Sequence, residues 1–337
     1  MLVTRAAREW PHGRAIAERC AALGIDVVDL PGDRLALGEQ SYAEAKSTLA
    51  VTVAPPSKRR LQPIPPSADW RVDLAEGCPA HCAYCYLAGS LKGPPITRVY
   101  ANLPEIMAEL PRHLGTGTIT SRSDARADEG TTFEASCYTD PLGLEPVTGS
   151  LSALIRYVGE WDAPAQLRFT TKFSDVEPLL ALPHGGRVRM RASVNPAAYA
   201  RFEGGTAPVA DRLRALRRMA DAGYLVGLTV APIIAAPGWQ EAYAGLIDQV
   251  AAAFEGTAPD LTVELITHRF TPGSREVLQS WYPGSRLDMG EAGRTEKRNK
   301  FGGIKHVYDR DTMRSLRAFF EERIADRLPF ARILYWT

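Results

Sequence analysis

Val209-Ala210-Asp211-Arg212-Leu213-Arg214-Ala215-Leu216-Arg217-Arg218-Met219-Ala220-Asp221-Ala222-Gly223 leads through Tyr224 into Leu225-Val226-Gly227-Leu228-Thr229-Val230-Ala231-Pro232. The first part has helical periodicity. Gly223 stands where a helix stop is expected, because glycine takes a left-handed cap with no Cβ penalty. The second part is an apolar, β-branched run closed by proline, which reads as a strand. Outward from this unit, strand candidates recur at Val72–Leu74, Thr132–Tyr138, Leu167–Thr171, Val188–Val194 and Leu261–His268. Helical patterns lie between them at Leu103–Leu110, Gly149–Gly159, Val176–Leu182 and Trp239–Phe254. The alternation predicts an α/β fold, a parallel sheet wrapped by helices. Six strand–helix units are fewer than the eight of a closed barrel. The expectation is a partial (β/α)6 TIM-type barrel, open to a large substrate. A doubly wound open sheet is the alternative.

The ends differ from this middle. Residues 1–67 read as a small N-terminal α/β extension and linker. Leu2-Val3-Thr4 is a strand, a helix follows with Ile16, Cys20, Ala21 and Leu23 as its apolar stripe, Gly24 stops it, and Ile25–Leu30 alternates like a strand. Five prolines between residues 53 and 67 predict an extended connection. Residues 68–270 form the partial barrel. Residues 271–337 form a C-terminal hairpin and helix region, with a helix over Thr312–Ile324 and a last strand over Ala331–Trp336. The polar stretch Thr116–Thr131, which includes Arg122 and Arg126, predicts an exposed loop or hairpin.

Net charge is +1, so any nucleic-acid contact must come from a local patch and not from a global field. Lys58-Arg59-Arg60, the Arg212–Arg218 helix and Arg294–Lys305 are the candidates, each with a solvated face as its plain alternative. No apolar run approaches the roughly 20 residues that span a bilayer. A cytoplasmic monomer is expected, with no membrane partner. The five cysteines, an odd count, argue against a disulfide framework.

Three of those cysteines lie within Gly77-Cys78-Pro79-Ala80-His81-Cys82-Ala83-Tyr84-Cys85-Tyr86-Leu87. The spacing is C-x3-C-x2-C. Thiolates are natural ligands of iron–sulfur clusters. Three of them bind three irons of a cubane and leave the fourth iron open to a chelating ligand. A zinc site would need a fourth ligand or a second C-x2-C pair, and only His81 could assist nearby.

The motif identifies a radical S-adenosylmethionine (SAM) enzyme, and the run Gly77–Leu87 resembles the cluster loop of the spore photoproduct lyase family. The resemblance extends through Ala45–Leu49, Phe133–Cys137 with Asp140, Leu167–Phe173, Ser193-Val194-Asn195, Phe202-Glu203 with Thr206, Val230–Ile233, Glu264–Phe270 and Ile333–Thr337. It implies a 4Fe–4S cluster on Cys78, Cys82 and Cys85, and SAM as the second cofactor. It further implies cleavage of a methylene-bridged thymine dimer in DNA, with an external reductant of flavodoxin or ferredoxin type. On the matched positions Cys137 is the hydrogen-atom donor, and Tyr86 and Tyr84 carry the radical onward. Lys172, Ser193, Asn195 and Ala231 contact SAM. His268 and Arg269 form a site wall, His81 is a loop residue, and Cys20 is core.

Two stretches depart from that pattern. Where the family is expected to carry an arginine–tyrosine pair on a DNA-contacting hairpin, this chain has Lys300 and Phe301, which keep charge and ring but lose a bidentate donor and a phenol. After Cys137, Tyr138 and Thr139 replace smaller polar residues. Two rivals to the lyase reading therefore stand: the same radical chemistry on another pyrimidine lesion or modified nucleotide, and a non-catalytic, zinc-stabilised nucleic-acid-binding protein.

Overall fold

The structure is a computed structural model that describes residues 1–87, 91, 93–119, 124–298 and 302–337. It divides into two compact units. One holds Met1–Pro79, Lys92–Met190 and Ala222–Tyr224; the other holds Ala80–Leu91, Arg191–Asp221 and Leu225–Thr337.

In the first unit, a small sheet runs Val28–Asp29, Leu2–Val3, Leu49–Thr52, Thr97–Tyr100, Ala75–Glu76, parallel except for its last pair. Val3, Ile16, Val51 and Val99 pack its core with Cys20, which is fully buried as expected. The helix expected after Thr4 is two helices, Arg5–Glu9 and Pro11–Ala22. Pro11 explains the break, since it holds Trp10 in an extended conformation.

The same unit carries four strands of the main sheet, in the order Gln62–Ile64, Ala68–Val72, Thr131–Ala135, Ala165–Thr171. The last three are parallel. The proline-rich stretch expected as a linker instead forms a short helix, Pro56–Arg59, and an antiparallel edge strand, Gln62–Ile64. An edge tolerates Pro63 because its missing N–H is not needed by a second neighbour. The stretch expected to be an exposed loop is exposed at most of its described residues, but Asp124–Glu129 is a 3₁₀ turn that buries Arg126 and Glu129. Arg126 Nε donates to Glu129 at 2.6 Å, and Arg168 reaches the same carboxylate at 3.0 Å. Arg122 lies outside the described residues.

In the second unit the main-sheet order is Val188–Val194, Leu225–Ile233, Leu261–Thr267, Ala331–Trp336, and the last three strands pair in parallel. Val188–Val194, whose first residues belong to the other unit, and Ala331–Trp336 have the expected bounds. Helices Val209–Asp221, Trp239–Ala253, Pro272–Trp281 and Arg310–Arg327 accompany them. Buried charges on the strands are paired. Arg191 meets both oxygens of Glu264 at 2.5 and 2.6 Å. Gly227 makes room, since a Cβ there would lie 2.9 Å from Arg191 Cγ and 2.6 Å from Thr262 Oγ1. An antiparallel hairpin, Arg294–Arg298 with Ile304–Tyr308, stands before the last helix. Among the described residues no helix is long and apolar enough to cross a membrane.

Candidate active site

The first unit holds Cys78, Cys137, Tyr138 and Lys172. Gly77 has φ +79°, and a Cβ on it would sit 2.2 Å from the Ile96 carbonyl. Only glycine fits that approach, and it sets the turn from which Cys78 projects. The Lys46 ammonium donates to the Cys78 carbonyl, which gives a physical role to the matched segment Ala45–Leu49.

Cys137 follows the strand Thr131–Ala135 at its C-terminal end, where parallel sheets place their ligand sites. Ser136 takes a left-handed φ of +53°. Its amide donates to the Val72 carbonyl at 2.7 Å, and its hydroxyl accepts from the Leu74 amide at 2.9 Å. These two bonds offset the strain and fix the turn. Burial, then the Asp73 carboxylate, pushes the Cys137 thiol well above the usual range, while Arg71 pulls the other way. Arg71 Nε lies 3.0 Å from Asp73 Oδ2, and its Cζ is 4.3 Å from the Tyr138 ring centroid. Burial pushes Asp73 up to about 6 against the pull of Arg71.

Lys172 directly follows the strand Ala165–Thr171. Its amide donates to Asp140 Oδ2 and the Thr171 hydroxyl donates to Asp140 Oδ1, both at 2.7 Å. Asp140 also caps the helix Pro141–Thr148 by accepting from Gly143 N at 3.1 Å. The matched Asp140 is thus the clamp that fixes the strand end bearing Lys172.

The second unit holds Cys82, Cys85, Tyr84, Tyr86, Ser193, Asn195 and Ala231. His81–Cys82 pairs antiparallel with Glu203–Gly204, and Ala83 N donates to Phe202 O at 2.9 Å. His81 is thus a strand residue in that pair. Tyr84 is buried, and its hydroxyl donates to Glu203 Oε1. Burial first, then the nearby Cys82 and Glu203, holds that phenol well above its ordinary range. Arg212 donates to Glu203 Oε2 at 2.6 Å and to the Ser193 carbonyl at 2.8 Å. Asn195 donates to Glu203 Oε1 at 3.3 Å and to the Ala231 carbonyl at 3.1 Å, and accepts from the Tyr243 hydroxyl at 3.1 Å. Glu203 is therefore the hub that ties the cysteine loop to three residues expected at SAM. Sequence reasoning matched Phe202-Glu203 with Thr206 but gave Glu203 no role; its signal was a carboxylate followed nine residues later by Arg212, itself read as part of a solvated basic patch. The structure corrects that reading, since Arg212 is only 2% exposed.

Arg269 Cζ lies 5.0 Å from the Tyr86 ring centroid. His268 is buried, with Arg294 bonded to its carbonyl at 2.9 Å and to Nδ1 at 3.2 Å. Burial, then Arg294, pulls the His268 imidazole down to about 3. Arg294 also stacks on Tyr308 at 3.8 Å, and Phe270 stacks on His306 at 5.0 Å. The base of the hairpin is thus an aromatic and guanidinium stack. Lys300 and Phe301 lie outside the described residues.

Cys78, Cys82, Cys85 and Cys137 are all partly exposed. Among the described residues no group of three His, Cys, Asp or Glu side chains is drawn around one ion. Thiols spaced C-x3-C-x2-C suit a cluster that gives each thiolate its own iron.

The profile of the spore photoproduct lyase family matches residues 3–337. Spore photoproduct lyase of a Geobacillus species is 37% identical over 339 residues, covering 98% of this chain and 96% of the relative. The Bacillus subtilis enzyme is 35% identical, with the same coverage. A solved spore photoproduct lyase complexed with dinucleoside spore photoproduct superposes with TM-score 0.90 at 35% identity, covering 100% of this chain and 98% of that one. A doubly substituted form with bound AdoMet (SAM) and dinucleoside spore photoproduct superposes with TM-score 0.89 at 35% identity and the same coverage. The fold is accordingly the mixed α/β fold with a curled half-barrel sheet, and the chain belongs to the spore photoproduct lyase family.

Proposed function

We propose that this protein repairs spore photoproduct, a methylene-bridged thymine dimer in DNA, by radical chemistry. The observation that carries the proposal is the solved relative that holds AdoMet and dinucleoside spore photoproduct together, on a chain matched to all of this one. Cys78, Cys82 and Cys85 are the residues to hold a 4Fe–4S cluster. When bound and reduced by a flavodoxin- or ferredoxin-type partner, that cluster supplies the electron that splits SAM into methionine and a 5′-deoxyadenosyl radical, which takes a hydrogen atom from the lesion.

The chain's own residues supply placement and quenching. The cation of Lys172 suits the SAM carboxylate, and Ser193, Asn195 and Ala231 suit its remaining polar edge and adenine. Cys137 gives its sulfur-bound hydrogen atom to the substrate radical. Its raised affinity for the proton supports this role, because a thiolate has no hydrogen atom to give. Tyr86 and Tyr84 relay the radical from the resulting thiyl. A damaged base pair leaves the helix stack at lower cost than an intact one, which favours the lesion. The enzyme is read as a cytoplasmic monomer.

A second reading keeps the chemistry and changes the lesion. Tyr138, packed on Arg71 beside the donor, favours it. The test is anaerobic reconstitution with iron and sulfide, followed by turnover of synthetic dinucleoside spore photoproduct. Thymine release is the expected result. SAM cleavage without thymine release selects the second reading, and SAM cleavage surviving Cys82→Ala overturns both.

A further inference from the structure

The Cys137 turn packs against two charged residues to which the cluster, SAM and DNA assign nothing. Arg71 and Asp73 flank Val72, whose carbonyl receives the Ser136 amide. With a strand period of two, Arg71 and Asp73 share one side while Val72 points to the core, where it is 1% exposed. Asp73 is 5% exposed, and among the described residues its Oδ1 has no hydrogen-bond partner. Its other oxygen is 3.0 Å from Arg71 Nε. The Arg71 guanidinium in turn stacks on the ring of Tyr138, the residue that follows Cys137.

Two opposite charges are thus held against the turn that carries Cys137. An arginine alone beside a cysteine stabilises the thiolate and prepares a nucleophile. A hydrogen-atom donor needs the opposite state. We infer that Arg71 and Asp73 are positioning residues for Cys137, Arg71 fixing the Tyr138 ring beside it while Asp73 cancels the guanidinium charge and keeps the hydrogen on sulfur. This rests on the donor role proposed for Cys137. In that step the Cys137 S–H bond breaks, a C–H bond forms on the substrate radical, and the sulfur keeps the unpaired electron. The pair changes neither count and fixes only the starting form.

The decisive measurement needs no lesion. The cluster-loaded protein is treated anaerobically with iodoacetamide at pH 8, and alkylation of Cys137 is followed by mass spectrometry against a Cys137→Ala control. Asp73→Asn leaves Arg71 unopposed and is expected to speed alkylation about tenfold, the effect of one unit of thiol acidity. Arg71→Gln is expected to slow it, and Arg71→Lys to restore the wild-type rate. Unchanged rates, or both variants faster as a loosened turn would make them, overturn the inference. If wild-type protein releases no thymine, the lesion assignment fails while the alkylation series still decides the inference.

Discussion

Two arginine–carboxylate pairs, one buried and one half-buried at its arginine, lie next to residues expected to carry chemistry, and they are built differently. At Glu203 both oxygens are used: Tyr84 and Asn195 share one, Arg212 holds the other, and Arg212 reaches on to Ser193. At Asp73 one oxygen meets Arg71 and the other has no partner among the described residues. A saturated pair is a fastening, since the remaining lone pairs offset its desolvation. An unsaturated pair tolerates its own neutralisation, and Asp73 accordingly holds its proton up to about 6. One pair sets geometry; the other sets the protonation of its neighbour.

The largest break in this comparison is Glu203→Leu, which leaves Arg212 charged and uncompensated. The expected loss is about 3–5 kcal/mol of unfolding free energy in urea, with a smaller loss for Glu203→Leu combined with Arg212→Met. A double variant as unstable as the single would remove the case for a charge hub. His268 calibrates the scale from outside both pairs. Its imidazole is held down to about 3 from 6.5. The folded chain therefore keeps it neutral, and its contribution, full above pH 6.5, falls as pH drops toward 3. His268→Gln is expected to remove up to about 3 kcal/mol of the stability lost between pH 7 and 4.

Asp73 has the opposite sign. Its folded carboxyl binds its proton more tightly than the unfolded one, whose value is 3.8. Its contribution is full below about pH 4 and lost as pH rises through about 6. Asp73→Asn is expected to raise stability at pH 8 by roughly 2 kcal/mol, with little change at pH 4. A loss at pH 8 would mean that Asp73 is a fastening like Glu203. The floor is set by Thr271, whose hydroxyl accepts from Ser274 N at 3.0 Å at the start of the helix Pro272–Trp281. Thr271→Ala is expected to cost about 1 kcal/mol at every pH.

The fold was largely legible because strand and helix periods differ and glycine and proline punctuate them. Val188–Val194 and Ala331–Trp336 were read to the residue, although the former buries Arg189 and Arg191. Those arginines show why other parts were not legible. Hydropathy counts a charge as exposed, while Arg168 and Arg191 are buried against carboxylates distant in sequence and Arg126 and Arg212 against nearer ones. Arg126 and Glu129 in the otherwise exposed Thr116–Thr131 stretch, and Arg212, were misread for that reason. Prolines misled at residues 62–64, because composition cannot distinguish a free linker from an edge strand. The cysteine loop was legible through its spacing. Glu203 and the Arg71–Asp73 pair were not, since they act through partners that only the folded chain brings to them.

Val72 has a consequence beyond the present reaction. Its side chain faces the core while its two neighbours face the donor turn, so the backbone that anchors Ser136 is independent of what stands at 71 and 73. Paired replacements there can retune the donor without disturbing the strand. Glu203 has no such freedom, because each of its partners belongs to a different segment. Positions 71 and 73 can therefore change without moving the strand, while the segments that meet at Glu203 must change together.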